Sequence, residues 1–197
     1  MKNKMKGAEA ILKRVRVMGL PAVEKLRPSK KYRAAALDEK IRRERTRREA
    51  RLLTRAKEAG VICPAVYEVS DFAIRMKFLE GEMLYHALRK RPVKQSEIAS
   101  AARILAALHT VDVVHGDFTP ANLMLAEGGK MAVIDFGLGS ISNDVEDKGT
   151  DVVTMTKALG AKGGDAFVAA YARAGGKASV VKMGIEIGKR GRYMERG

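Results

Sequence analysis

The order of local patterns constrains this fold most. Strand-like stretches gather around one long helix in the first 80 residues, and helix-like stretches fill most of the remainder. Arg14-Val15-Arg16-Val17 alternates polar and apolar, Met18-Gly19-Leu20-Pro21 supplies a turn, and residues 22–26 resume the strand. Residues 38–59 read as one helix without a proline, with Asp38 placed to cap it and Gly60 to end it. Ile41, Leu52, Leu53 and Ala56 form its narrow apolar stripe among nine Lys or Arg residues. Residues 65–69 and 73–78 read as two further strands that turn at Ser70-Asp71.

After Glu80-Gly81 the pattern changes. Ile98, Ala101, Ala102, Leu105 and Leu108 share a helical face, with Ser96 as its cap. Apolar runs at 123–125 and 131–134 flank a Gly128-Gly129 turn, and the rest reads as three short helices broken at 160–164 and at Gly175-Gly176. Such segregation predicts an α+β protein of two small lobes sharing a cleft. Residues 1–80 would hold an antiparallel sheet and one long helix, and residues 81–197 would be mainly helical.

The densest chemical signal is His115-Gly116-Asp117-Phe118-Thr119-Pro120-Ala121-Asn122, followed by Asp135-Phe136-Gly137. Phosphoryl transfer from ATP asks little covalent chemistry of a protein. It needs Mg ions to neutralise phosphate charge and a carboxylate to position the attacking hydroxyl. Hard Mg prefers oxygen ligands, which an Asp and an Asn side-chain carbonyl supply. Asp117 is therefore the expected catalytic residue, and Asn122 and Asp135 the expected metal ligands. The step of five from Asp117 to Asn122 matches a kinase catalytic loop, and Asp135-Phe136-Gly137 a kinase metal-binding motif. Each piece alone is an ordinary loop or turn; their order and spacing together carry the inference.

A kinase also needs a lysine for the phosphates, fixed by a glutamate on a helix. Lys25, in Ala22-Val23-Glu24-Lys25, and Glu49 on the long helix are the candidates, with Glu44 a poorer choice. Met76 to Leu79 would meet adenine. The phosphate-covering loop departs from the kinase pattern, because only Gly7-Ala8-Glu9-Ala10 precedes the first strand. Gly7 and Glu9 are its candidate ATP contacts. No A-P-E follows Gly137, and Thr119 stands where protein kinases tend to carry lysine.

Charge narrows the partners. Lys and Arg number 38 against 23 acidic residues, a net +15 that attracts polyanions, nucleic acid above all. Lys189, Arg190, Arg192 and Arg196 sit among glycines as a flexible cationic strip for tRNA or a protein partner. A single cysteine, Cys63, excludes an intramolecular disulfide, and three scattered histidines make no zinc pattern. The basic first residues lead into no apolar signal region, and no stretch approaches the roughly 18 apolar residues of a membrane span. A soluble, cytoplasmic protein is expected.

Beyond the kinase core, the chain resembles the small atypical serine/threonine kinase of the KEOPS complex, the PRPK-like family, in its archaeal form. The matching stretches are Gly7-Ala8-Glu9-Ala10, Lys25 to Arg33, Leu37-Asp38, Arg45 to Arg51, Glu146-Asp147-Lys148-Gly149 with Asp151, and Arg190-Gly191-Arg192. The resemblance implies an ATP-dependent kinase or ATPase supporting threonylcarbamoyladenosine formation on tRNA. Implied partners are the threonylcarbamoyl-transferase subunit, a small regulatory subunit on the N-terminal lobe, and tRNA. It further implies that Asp151 anchors the C-terminal lobe without reacting. Lys77 departs from the family, which tends to be acidic just after Met76. Two alternatives stand beside this reading: a small-molecule phosphotransferase of the aminoglycoside or choline kinase type, and a pseudokinase-like tRNA-binding scaffold. The 60 residues after Gly137 are short for the acceptor pocket of the former.

Overall fold

The computed structural model describes residues 4–6 and 10–194, without the side chains of residues 4–6, 127 and 191–194. Gly7, Glu9 and Arg196 lie outside the described residues, as does the side chain of Arg192. The chain forms two compact units, residues 1–54 with 64–79, and residues 55–63 with 80–197.

The first unit holds a five-stranded sheet in the order β1-β2-β3-β5-β4, antiparallel throughout. Its strands are β1 (Lys4–Lys6), β2 (Ile11–Val17), β3 (Leu20–Leu26), β4 (Val66–Val69) and β5 (Ala73–Lys77). The β2–β3 turn is tighter than the sequence predicts. Met18 and Gly19 both take positive φ, 49° and 79°, which gives a two-residue hairpin matched to strand twist. Leu20 and Pro21 therefore belong to β3 and not to the turn, with Pro21 opposite Arg16 and its carbonyl accepting the Phe78 N–H at 3.2 Å.

Helix α1 (Ala35–Glu58) begins before Asp38. Asp38 is thus inside the first turn instead of capping it, where its negative charge suits the helix dipole. Its buried carboxylate accepts the Arg42 Nε–H at 2.7 Å and the Lys30 N–H at 3.3 Å. The other end follows expectation. Gly60, at φ 79°, donates to the Lys57 carbonyl and Val61 to that of Ala56, which closes the helix in a Schellman motif. Leu52, Leu53 and Ala56 are buried, whereas Ile41 is only half-buried, and Thr46, Glu49 and Ala50 complete the buried face.

The second unit carries α2 (Leu84–Leu88), α3 (Gln95–Thr110), α4 (Val145–Arg173) and α5 (Ala178–Met194). Strand β6 (Gly81–Met83) precedes α2, and β7 (Val113–Val114), β8 (Leu123–Ala126), β9 (Met131–Val133) and β10 (Ser140–Ile141) run between α3 and α4. They form a sheet in the order β6-β8-β9 and a separate β10-β7 ladder. At two or three residues each, β6, β7 and β10 are too short to leave a periodic signal. Ser96 does not cap α3; it lies within the first turn, and the Glu97 carboxylate accepts the Lys94 N–H there at 2.9 Å. Helix α4 is interrupted at Gly160 alone, and runs on through Gly163 and Gly164. The cationic tail is helical as far as Met194, not a loose strip. Phe118, Phe136, Phe167, Tyr171, Leu105, Leu108 and Leu123 are fully buried, each contributing about 1.5–3 kcal/mol by leaving water. Among the described residues, no helix is long and apolar enough to cross a membrane.

Candidate active site

The loop between β7 and β8 is fastened from behind by one carboxylate. Asp151, on α4 and buried, accepts the backbone N–H of His115 at 2.6 Å with Oδ2 and that of Gly116 at 2.8 Å with Oδ1. His109 Nε2 lies 3.3 Å from the same carboxylate. Gly116 cannot carry a side chain here. Its φ is 78°, and a Cβ would sit 2.4 Å from the Leu138 carbonyl oxygen.

His115 ties this loop to the segment leading into Asp135. Its Nε2–H donates to the Ile134 carbonyl at 3.1 Å, and its Nδ1 accepts the Asp117 N–H at 3.3 Å. Only the neutral ring with its hydrogen on Nε2 makes both bonds. Burial holds the imidazole below its ordinary range, in agreement with that tautomer. The ring packs against Phe136 at 4.8 Å and Phe118 at 5.6 Å between centroids. Both phenylalanines of the two motifs are therefore core residues that hold the loop.

Asp117 itself is half-buried. Asn122 ends a short 3-10 turn at Pro120–Asn122 and donates through Nδ2 to the Asp117 backbone carbonyl and to Asp117 Oδ2, both at 2.8 Å. Its own carbonyl accepts the Ile134 N–H at 2.9 Å, a second tie to the strand before Asp135. Asp135 is exposed and has φ 60°, a left-handed conformation that Asp tolerates better than most residues. Its Oδ1 accepts the Gly137 N–H at 3.0 Å.

This donor set fits a hard divalent cation. With its amide nitrogen engaged on Asp117, Asn122 has its amide oxygen left as a neutral donor of the kind Mg accepts, and the Asp135 carboxylate is a second oxygen donor. Mg held by one or two such groups completes its shell with water and phosphate oxygens.

In the first unit, Lys25 Nζ meets Glu49 Oε1 at 2.7 Å, and both side chains are buried. Glu44 is exposed on α1. Sequence reasoning missed Arg27, whose Nη2 donates to Glu49 Oε2. Its signal was available: residues two apart along an extended chain face the same way. Met76, on β5 opposite Val23, and Leu79, beyond it, are half-buried. Lys189 and Arg190 are exposed on α5, and Arg190 pairs with Glu146 at 3.0 Å. Burial pushes the Cys63 thiol up to about 11, which leaves no thiolate nucleophile there.

Known proteins share this arrangement of sequence. A RIO domain model matches residues 20–146, and a phosphotransferase enzyme family model matches residues 112–183. A probable serine/threonine-protein kinase BUD32 homolog of Archaeoglobus fulgidus is 36% identical over 180 residues, covering 88% of this chain and 89% of that protein. The KEOPS complex subunit Bud32 of Pyrococcus abyssi is 40% identical over 144 residues, 71% of this chain and 65% of that one. A probable bifunctional tRNA threonylcarbamoyladenosine biosynthesis protein of Methanobrevibacter smithii is 37% identical over 95% of this chain. The chain spans only 36% of that protein's length. In fold, it resembles a Rio2 kinase from Chaetomium thermophilum, solved as an ADP/Mg2+-phosphoaspartate complex. The TM-score is 0.67 at 16% identity, over 99% of this chain and 71% of the other. With the RIO model covering most of its length and the Archaeoglobus relative matched nearly end to end, the chain belongs to the RIO-domain family of atypical kinases, among the BUD32 homologues.

Proposed function

We propose that this protein binds Mg-ATP and transfers or hydrolyses its γ-phosphate within a KEOPS-type assembly that makes threonylcarbamoyladenosine on tRNA. Asp117 orients the attacking hydroxyl or water, and Asn122 and Asp135 hold the metal that offsets phosphate charge. Lys25, fixed by Glu49, serves the phosphates, and the backbone from Met76 to Leu79 serves adenine. Gly7 and Glu9 are the remaining ATP contacts in this reading. The observation that carries it is the Asn122 amide fixed to both ends of Asp117, because it spends the nitrogen and leaves an oxygen for the cation.

The names of the relatives support a choice of partners. The Pyrococcus protein is named as a KEOPS subunit and the Methanobrevibacter protein as a tRNA threonylcarbamoyladenosine biosynthesis protein. We place this chain beside a threonylcarbamoyl-transferase subunit, a small regulatory subunit and tRNA in the cytoplasm. Lys189, Arg190, Arg192 and Arg196 meet tRNA or the transferase, in keeping with the net +15. ADP release by purified Asp117→Ala and Asp135→Ala variants tests the site. Both should lose ATP turnover while still folding and melting cooperatively; undiminished turnover in both would sink the assignment. Stimulation of wild-type turnover by the transferase subunit and tRNA is expected if hydrolysis is the biological output.

A further inference from the structure

The segment between β3 and α1 presents an aromatic ring and an ammonium group to water. Residues 26–37 contain four basic residues and no acidic one. Two of the four are engaged within the first unit: Arg27 donates to Glu49, and Arg33 lies 3.7 Å from the buried Asp38. Lys31 is exposed and, among the described residues, is in no ion pair. Tyr32 beside it is 74% exposed.

The backbone holds that ring out. The Arg33 N–H donates to the Lys30 carbonyl at 3.1 Å, which closes a turn with Lys31 and Tyr32 at its two central positions. The turn is tied to the helix behind it. The Lys30 N–H donates to Asp38 Oδ1 at 3.3 Å, and Asp38 is itself held by Arg42 at 2.7 Å. The Arg33 guanidinium lies 5.1 Å from the Tyr32 ring centroid, a cation–π contact on one side of the ring. So exposed a ring has its other side open to a second planar group.

A cation-backed aromatic face next to an ammonium suits an unpaired nucleotide, whose base stacks on the ring while a neighbouring phosphate meets the charge. An acidic peptide answers only the charge, and paired RNA keeps its bases inside the helix. An unpaired strand answers both. We propose that the Lys31-Tyr32-Arg33 turn is a contact site for an unpaired RNA strand, with Tyr32 stacking on a base and Lys31 meeting a phosphate. The inference rests on the tRNA partner of the proposed reading and adds a site in the first unit to the cationic C-terminal residues.

Fluorescence anisotropy of the full chain with a labelled short oligouridine, a short RNA duplex and a tRNA transcript tests it. Tyr32→Ala should raise the oligouridine dissociation constant about fivefold or more, and Tyr32→Phe, which keeps the ring, should stay within about twofold of wild type. The tRNA transcript should follow the oligouridine. On the duplex, Tyr32→Ala should change binding by less than about twofold. Lys31→Ala should flatten the slope of log affinity against log salt by about 0.7 on the single strand, as expected for one phosphate contact, whereas Tyr32→Ala should leave the slope alone. Lys162→Ala, at an exposed lysine on α4, is the reference for losing one charge and should leave both quantities unchanged. All these positions are exposed and outside the proposed catalytic set, so melting temperature and ATP turnover should stay at wild-type values. Unchanged oligouridine binding by Tyr32→Ala overturns the proposal, and so does an equal loss on duplex and single strand. Weakened binding of Tyr32→Ala to the threonylcarbamoyl-transferase subunit with RNA binding intact would mark the turn as a protein-docking surface and overturn it as well. Failure of the wild-type chain to bind the tRNA transcript would instead remove the tRNA partner on which the proposal rests.

Discussion

Asn122 Nδ2 lies 2.8 Å from both the backbone carbonyl and the Oδ2 of Asp117, so one amide holds the carboxylate at two points. Replacing Asn122 with Ala removes that hold and, in the proposed reading, one metal ligand with it. ATP turnover should fall by about 10²-fold or more, in the range seen when one preorganised polar group is deleted from a site. The Mg concentration needed for half-maximal rate should rise in parallel. Because Asn122 is only half-buried, the melting temperature should change little. An ADP-release assay across a Mg titration checks both effects.

Asp135 combines the carboxylate proposed to hold metal with a left-handed backbone at φ 60°. The two demands separate by substitution. Asn tolerates this conformation and keeps the shape but loses the charge, whereas Ala loses both the local side-chain bond to the Gly137 N–H and the tolerance. Asp135→Asn should fold with near wild-type stability and lack Mg-dependent turnover. Asp135→Ala should be inactive and less stable by about 1–2 kcal/mol. Urea unfolding of the pair reads the difference, and equal stability would show that the backbone is not strained there.

The legible part of this molecule was the part where side-chain chemistry repeats at fixed spacing. Lys25 and Glu49, 24 residues apart, meet at 2.7 Å, and the strands and long helix of the first unit were visible from alternation and uninterrupted helical periodicity. Helix starts were not legible. Asp38 and Ser96 are good caps by residue type, yet Asp38 is drawn inside by Arg42, and Glu97 takes the N–H that a cap would have served. Arg27 escaped although it lies two residues beyond Lys25 along an extended chain and reaches the same Glu49. Strands β7 and β10, at two residues each, are too short to leave a pattern to read.

Asp151 is the counterpart of Asn122 on the other side of the loop. It is buried and accepts two consecutive backbone N–H groups, so its removal leaves both donors without a partner inside the protein. Each stranded donor costs about 1–3 kcal/mol, so Asp151→Ala should lose about 3 kcal/mol or more of stability, and turnover with it. Asp151→Asn keeps one acceptor oxygen for the pair and should lose less. Chemical denaturation of both variants separates this anchoring role from a chemical one: a variant with wild-type stability and no turnover would contradict it.

His115 predicts a pH dependence. Burial keeps the folded imidazole neutral to lower pH than the unfolded chain, whose histidine titrates near about 6.5. Protonation would place a hydrogen on Nδ1, facing the Asp117 N–H that it now accepts. Below about pH 6.5 the unfolded chain therefore takes up a proton that the folded chain refuses, and stability falls as pH drops through that window. Above it both states are neutral, and the group contributes no slope. His115→Gln removes the titration, at a cost in packing against Phe136 and Phe118 that does not vary with pH. Urea midpoints measured between about pH 7 and pH 5 should fall more steeply for the wild-type chain than for His115→Gln, with a slope difference approaching one proton. Parallel slopes would mean that His115 titrates alike in both states, and that the neutral tautomer joining the Asp117 and Asp135 segments is not what holds the loop.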